Sequence, residues 1–183
     1  MNRIPLLVWF LIPTIVLVGV GVWFFTKSST SVKPEESGKA EAVSTPVLGT
    51  VDYDIVSREH IGQGMPGSGY NSNPPSSGPH WQGPANKGFY DSALPDQQLI
   101  HNLEHGHIWI AYKPDIGDEI KNKFKEIVQK EDWKVVVAPR EANDTKIALV
   151  AWGRVLKMDE PDYAKIEDFI RTYRNRGPEK TPE

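Results

Sequence analysis

The sequence contains no cysteine. That absence removes disulfides, thiolate zinc fingers, iron–sulfur clusters, thiol nucleophiles and cysteine-linked lipids. Any metal ligand must come from histidine, carboxylate, methionine or backbone oxygen. A basic excess is missing too: 21 Lys and Arg face 24 Asp and Glu, for a net charge of −3. Nothing in that balance suggests a nucleic-acid partner, which would normally demand a basic patch. No internal repeat is visible. Charge itself is absent from Ile4 to Phe25.

That uncharged run is built of Leu, Val, Ile, Trp and Phe. Some twenty apolar residues at about 1.5 Å each span a hydrocarbon core of roughly 30 Å, so residues 4–25 read as a transmembrane anchor. Trp9 and Trp23 stand towards the two ends, where aromatic rings favour the interfaces, and a membrane helix tolerates Pro13. A cleaved signal peptide would have a shorter apolar region and small residues at its end, whereas Phe24-Phe25-Thr26-Lys27 follows here. Residues 1–3 form a short N-terminal tail. With Arg3 before the helix and Lys27 and Lys33 after it, the charge bias is nearly balanced. The very short tail favours a signal-anchor in the cell membrane, N-terminus inside and domain outside the cytoplasm.

Residues 26–46 are rich in Ser, Thr, Lys, Glu and Pro without apolar period and read as a flexible tether. The folded domain is expected over 47–176, with a polar tail at 177–183. Val51 to Ile55 alternates as a strand, and Gly62 to Gly88 is too rich in Gly, Pro, Ser and Asn for regular structure. A short helical turn is predicted from Gln97 to His105, stopped by Gly106, and then a strand from His107 to Tyr112. Ile116, Ile120, Phe124 and Ile127 mark one amphipathic helix, and Tyr163, Ile166, Phe169 or Ile170, and Tyr173 a second. Trp133–Ala138 and Ile147–Trp152 are β-rich runs. The expected fold class is α+β, a mainly antiparallel sheet with two amphipathic helices and a long Gly/Pro-rich loop. Its core should include Phe124, Trp133, Val136, Leu149, Trp152 and Phe169.

All five histidines fall between positions 60 and 107, around the irregular stretch. In His101-Asn102-Leu103-Glu104-His105 the two histidines are four apart, which puts them on one helical face, roughly opposite Leu99 and Leu103. His80 ends the stiff segment Pro74-Pro75-Ser76-Ser77-Gly78-Pro79, and His60 precedes the glycines, with Met65 five residues later. His60, His80, His101 and His105 are the candidate metal ligands, with Met65 a possible soft one. Glu104 is either an outer carboxylate or a catalytic one. His107 reads as structural. A thioether beside imidazoles points to copper ahead of zinc, and to one transition-metal ion.

Two other patterns carry less. Gly62-Gln63-Gly64-Met65-Pro66-Gly67 spells the dinucleotide fingerprint, but Pro66 and a polar loop stand where a helix should begin. His101-x-x-Glu104-His105 spells the inverted zinc-peptidase signature, in which Glu104 would be the general base. That reading needs a third ligand, and Glu160, Glu167 and Glu179 can only be nominated. The alternatives to a metal-handling module are thus a small zinc hydrolase and a metal-free interaction module.

The pairing of Pro74-Pro75-Ser76-Ser77-Gly78-Pro79-His80 with His101-Asn102-Leu103-Glu104-His105-Gly106 resembles a bacterial family known only as a domain of unknown function. The resemblance covers about Ile55 to Tyr173. It implies an extracytoplasmic bacterial domain, commonly membrane-anchored, and brings no activity with it. On these grounds the full chain is expected to sediment with membranes and a C-terminal reporter to be exported. A reporter active only in the cytoplasm would reverse the orientation.

Overall fold

The structure, a computed structural model, describes residues 45–182. The apolar run at 4–25 and most of the tether lie outside the described residues. Among the described residues no helix is long and apolar enough to cross a membrane.

Among the described residues, eight strands and three helices follow in chain order. They are β1 (Val51–Asp52), β2 (His60–Ile61), β3 (His80–Trp81), β4 (Gly88–Phe89), α1 (Asp96–Glu104), β5 (Ile108–Tyr112) and α2 (Asp118–Lys130), then β6 (Val135–Pro139), β7 (Ile147–Ala151), β8 (Arg154–Met158) and α3 (Tyr163–Tyr173). Six of the strands make one sheet in the order β1-β8-β7-β5-β6-β4, and β2 pairs with β3 separately. The fold is α+β, as expected, but the sheet is mixed. β1–β8, β8–β7 and β7–β5 are antiparallel, whereas β5–β6 and β6–β4 are parallel. The parallel pair arises because α2 carries the chain from β5 back to the same end of the sheet before β6 begins.

Both faces of the sheet are covered, which the sequence had not suggested. Ile108, Ile110 and Tyr112 of β5 pack with Val135, Val137, Ile147 and Leu149 against Phe124 and Ile127 of α2 and Ile166, Phe169 and Ile170 of α3. The alternate residues Trp109, Ala111, Val136, Ala148 and Val150 face Leu99, Ile100 and Leu103 of α1. Strands buried on two faces read as continuous apolar runs rather than alternating ones. β8 escaped prediction for this reason: Val155 and Leu156 are adjacent and both buried, with no period of two. Gly153, at φ 70°, makes the two-residue connection from β7 possible.

Other boundaries shift with physical cause. Only Val51 and Asp52 of the expected first strand join the sheet. The Gly/Pro stretch is irregular except for β3 and the start of β4, yet residues 74–78 are buried. It is pinned by Arg140, which donates to both oxygens of Asp96 at 2.8–3.1 Å and to Asn73 Oδ1 at 2.6 Å. α3 is capped by Asp162, whose carboxylate accepts from the Lys165 amide. Trp133 was expected in the core and is not. It precedes Lys134, whose φ of 51° delays β6 to Val135, and it is left 38% exposed beneath the guanidinium of Arg174.

Phe124, Leu149 and Phe169 are all fully buried. Each, changed to alanine, should cost about 2–5 kcal/mol in urea denaturation. Trp133→Ala should cost less than about 2 kcal/mol, because much of its surface stays wet. Equal losses at Trp133 and Phe169 would contradict this division.

Candidate metal centre

Three short pieces of chain converge on the sheet face opposite α2 and α3. β2 and β3 run parallel with His60 directly across from His80. Partners across a ladder project to the same side, so the two rings stand 4.7 Å apart between centroids. The facing wall is α1. Its Leu99, Ile100 and Leu103 are spent on the core, which turns His101 and Glu104, three apart on one helical face, towards the two strands. His101 lies 5.2 Å from His60 and 5.3 Å from His80 between ring centroids. One ligand atom from each of His60, His80, His101 and Glu104 falls within 4.8 Å of every other. Trp152 walls the site, edge-on to His80 at 6.2 Å.

The loop is shaped for this approach. Gly78, at φ 123°, leaves room for the Tyr70 ring, which a Cβ would meet at 2.8 Å. Its carbonyl accepts a hydrogen bond from His80 Nδ1 at 2.7 Å. A carbonyl can only accept, so Nδ1 carries a proton, and Nε2 is the nitrogen left to face Glu104 or a metal ion. Nε2 lies 2.9 Å from Glu104 Oε2, and His60 Nε2 lies 3.4 Å from the same oxygen. Arg58 Nε donates to the other oxygen, Oε1, at 2.7 Å.

Burial to 1% exposure works to raise the Glu104 pKa, but the hydrogen bonds from Arg58 and His80 outweigh it and hold the carboxyl below its usual range. Arg58 is pushed up in return, chiefly by its hydrogen bond to Glu104. Burial, with His105, His80 and His60 as cationic competitors, lowers His101 to about 4. Its Nδ1 is buried and makes no hydrogen bond. The 2.9 Å approach of His80 Nε2 to Glu104 Oε2 requires a positive centre between them: a proton on the ring, donated to the carboxylate, or a metal ion in its place. Three imidazoles and a carboxylate are a sound donor set for such an ion. To bind it, the widest separations must contract towards about 3.5 Å. Half-exposed His60, on a two-residue strand, is the arm that can move.

The other candidates are placed as follows. His105 packs its ring on His101 at 4.4 Å between centroids and lies outside the four-residue group, with Nε2 3.3 Å from Glu179. Met65 is 56% exposed, with its sulfur over Gly62. His107 is buried with Nδ1 3.1 Å from the Asn102 carbonyl. Of the nominated carboxylates, Glu160 and Glu167 pair with Lys146 and Lys130, and Glu179 alone reaches the site's edge. Reasoning from sequence missed Arg58, which no pattern marks. It also missed Asn102, whose amide exchanges two 2.8 Å hydrogen bonds with the Ala85 backbone and so braces the loop.

Together these features define an α+β domain with a buried His/Glu cluster able to hold a metal ion. The chain belongs to the family described as "Protein of unknown function (DUF3105)", whose model matches residues 67–183. No curated protein and no solved structure matches it. His80, His101 and Glu104 lie within the matched segment, and Arg58 and His60 precede it.

The metal-free protein should be acid-labile in two steps. His101 and His107 both sit at about 4, burial being the first cause, against about 6.5 when unfolded. Below 6.5 the unfolded chain binds protons that the folded one refuses, so stability is full above that pH and falls as pH drops to 4. The loss is up to roughly 3 kcal/mol for each ring. Glu104, lowered in the fold, adds a further loss below the usual carboxylate range. Chemical denaturation between pH 8 and 4 reads this directly, and a flat profile from 6.5 to 4.5 would contradict the burial of these rings.

Proposed function

We propose that this protein is a membrane-tethered, extracytoplasmic metal-binding protein that holds one divalent transition-metal ion between His60, His80, His101 and Glu104. The observation that carries the reading is the 2.9 Å meeting of His80 Nε2 with Glu104 Oε2, made while Nδ1 is committed to Gly78. A backbone carbonyl holding the far nitrogen of a ring is the usual outer support of a ligating histidine. The buried Nδ1 of His101 without a partner, in a ring kept neutral, supports it independently. The uncharged run at residues 4–25 supports the tether and the placement outside the cytoplasm.

Copper led from the sequence because Met65 offered a thioether. The three imidazoles and one carboxylate that come together favour zinc(II), with copper(II) next. Half-exposed His60 gives the ion a route of exchange, which suits handling or delivery better than a sealed structural site. The hydrolase reading loses its base: Glu104 is bonded to Arg58 and His80, whereas a general base needs a carboxylate facing a water.

Full-length protein in detergent, reconstituted and dialysed, should retain one zinc per chain by elemental analysis. His80→Ala, His101→Ala and Glu104→Gln should each weaken binding by at least the roughly 10–100-fold that loss of even an outer partner costs. Met65→Ala should leave zinc affinity unchanged. Retention should fail as pH falls through about 6.5, where protons compete for imidazole. A protein that takes up neither zinc nor copper would be the metal-free interaction module instead.

A further inference from the structure

Beyond α3 the chain does not leave the domain. Asn175 donates its amide to the Gly106 carbonyl at 2.7 Å, and the Glu179 amide donates to the Glu104 carbonyl at 3.0 Å. Gly177 passes so close that a Cβ there would lie 2.2 Å from the Glu104 carbonyl oxygen. Fully buried Lys134 donates to the His105 and Thr181 carbonyls at 2.8 and 2.6 Å. Residues 175–181 are thus a strap bound across the C-terminal end of α1, and the strap delivers one carboxylate to the edge of the candidate centre. Glu179 Oε1 accepts from Arg58 Nη2 at 3.0 Å, while Arg58 Nε stays on Glu104.

This geometry bears on how a dication is tolerated. An ion held on Oε2 of Glu104 shares that carboxylate with the guanidinium on Oε1, so two cations lean on one negative charge. The contact between Arg58 and Glu179 is half exposed and by itself contributes little to stability. Its value lies in charge. With Glu179 present, Arg58 and the two carboxylates carry one net negative charge to meet the ion; without it they carry none. Held at both ends, the guanidinium also keeps Oε1 occupied, so that Glu104 offers the ion a single oxygen.

We infer that Glu179 is a positioning residue for the metal centre that acts through Arg58, offsetting the guanidinium charge so that Glu104 can serve the ion. The inference rests on the metal-binding reading above. The test is a double-mutant cycle on zinc affinity, measured by chelator competition with the full-length protein in detergent. Glu179→Gln should weaken zinc about 10-fold, and Glu179→Asp should recover most of that loss. The Arg58→Gln background should shrink the Glu179→Gln effect to under about 2-fold, because no guanidinium remains to offset. Arg58→Lys, which keeps the charge, should preserve it. The thermal midpoint of each metal-free variant checks folding.

Equal losses in both backgrounds would show that Glu179 acts through His105 or through strap packing, and would overturn the inference. So would unchanged zinc affinity in Glu179→Gln beside a zinc-binding wild type, with the metal reading left standing. A wild type that binds no metal overturns both.

Discussion

Burying the ionised carboxylate of Glu104 is the constraint around which this domain is arranged. An isolated carboxylate taken out of water costs several kcal/mol, and only close cations and hydrogen-bond donors offset that. Arg58 comes from the N-terminal segment, His80 from the end of the Gly/Pro stretch and His60 from the strand beside it. None of these is near Glu104 in sequence. The β2–β3 pairing, the turn at Gly78 and the burial of residues 74–78 all serve to bring them to one carboxylate. A domain that satisfies a charge this way keeps a concentrated, pre-oriented set of donors, which is what a metal ion selects.

The cost of that arrangement is a buried loop. Loops normally run over the surface because their backbone groups need water. Here polar side chains replace it: the Asn102 amide on Ala85, Tyr70 on the Pro79 carbonyl, Asn73 on the Ala142 carbonyl, and Ser77 receiving the Val56 amide. Gly and Pro limit the entropy lost or the space required, and Ser and Asn supply the hydrogen bonds. The composition that excluded regular structure between Gly62 and Gly88 is the material of a packed second layer.

That layer rests on a sheet whose other face is already covered by α2 and α3. Because Trp109, Val136 and Val150 back onto α1, the helix bearing His101 and Glu104 is held by the same apolar packing that stabilises the sheet. Site and core are therefore coupled. Leu99 and Leu103 set the rotation of α1, and with it the direction of the ligating face.

The sequence by itself determined what depends on near neighbours. The 3.6-residue period of Ile120, Phe124 and Ile127, the stop at Gly106 and the apolar runs at Ile108–Tyr112 and Ile147–Ala151 are written locally, and each appears in the structure. So is the helical spacing that turns His101 away from the leucines. Tertiary structure alone decided that His60 lies across from His80, that Glu104 joins them while His105 stands outside the group, and that Arg58 and Glu179 frame the cluster. Periodicity reports which face of an element is apolar. Which charge meets which across a fold is settled by the cost of leaving any one of them alone, and that cost exists only once the chain has closed around it.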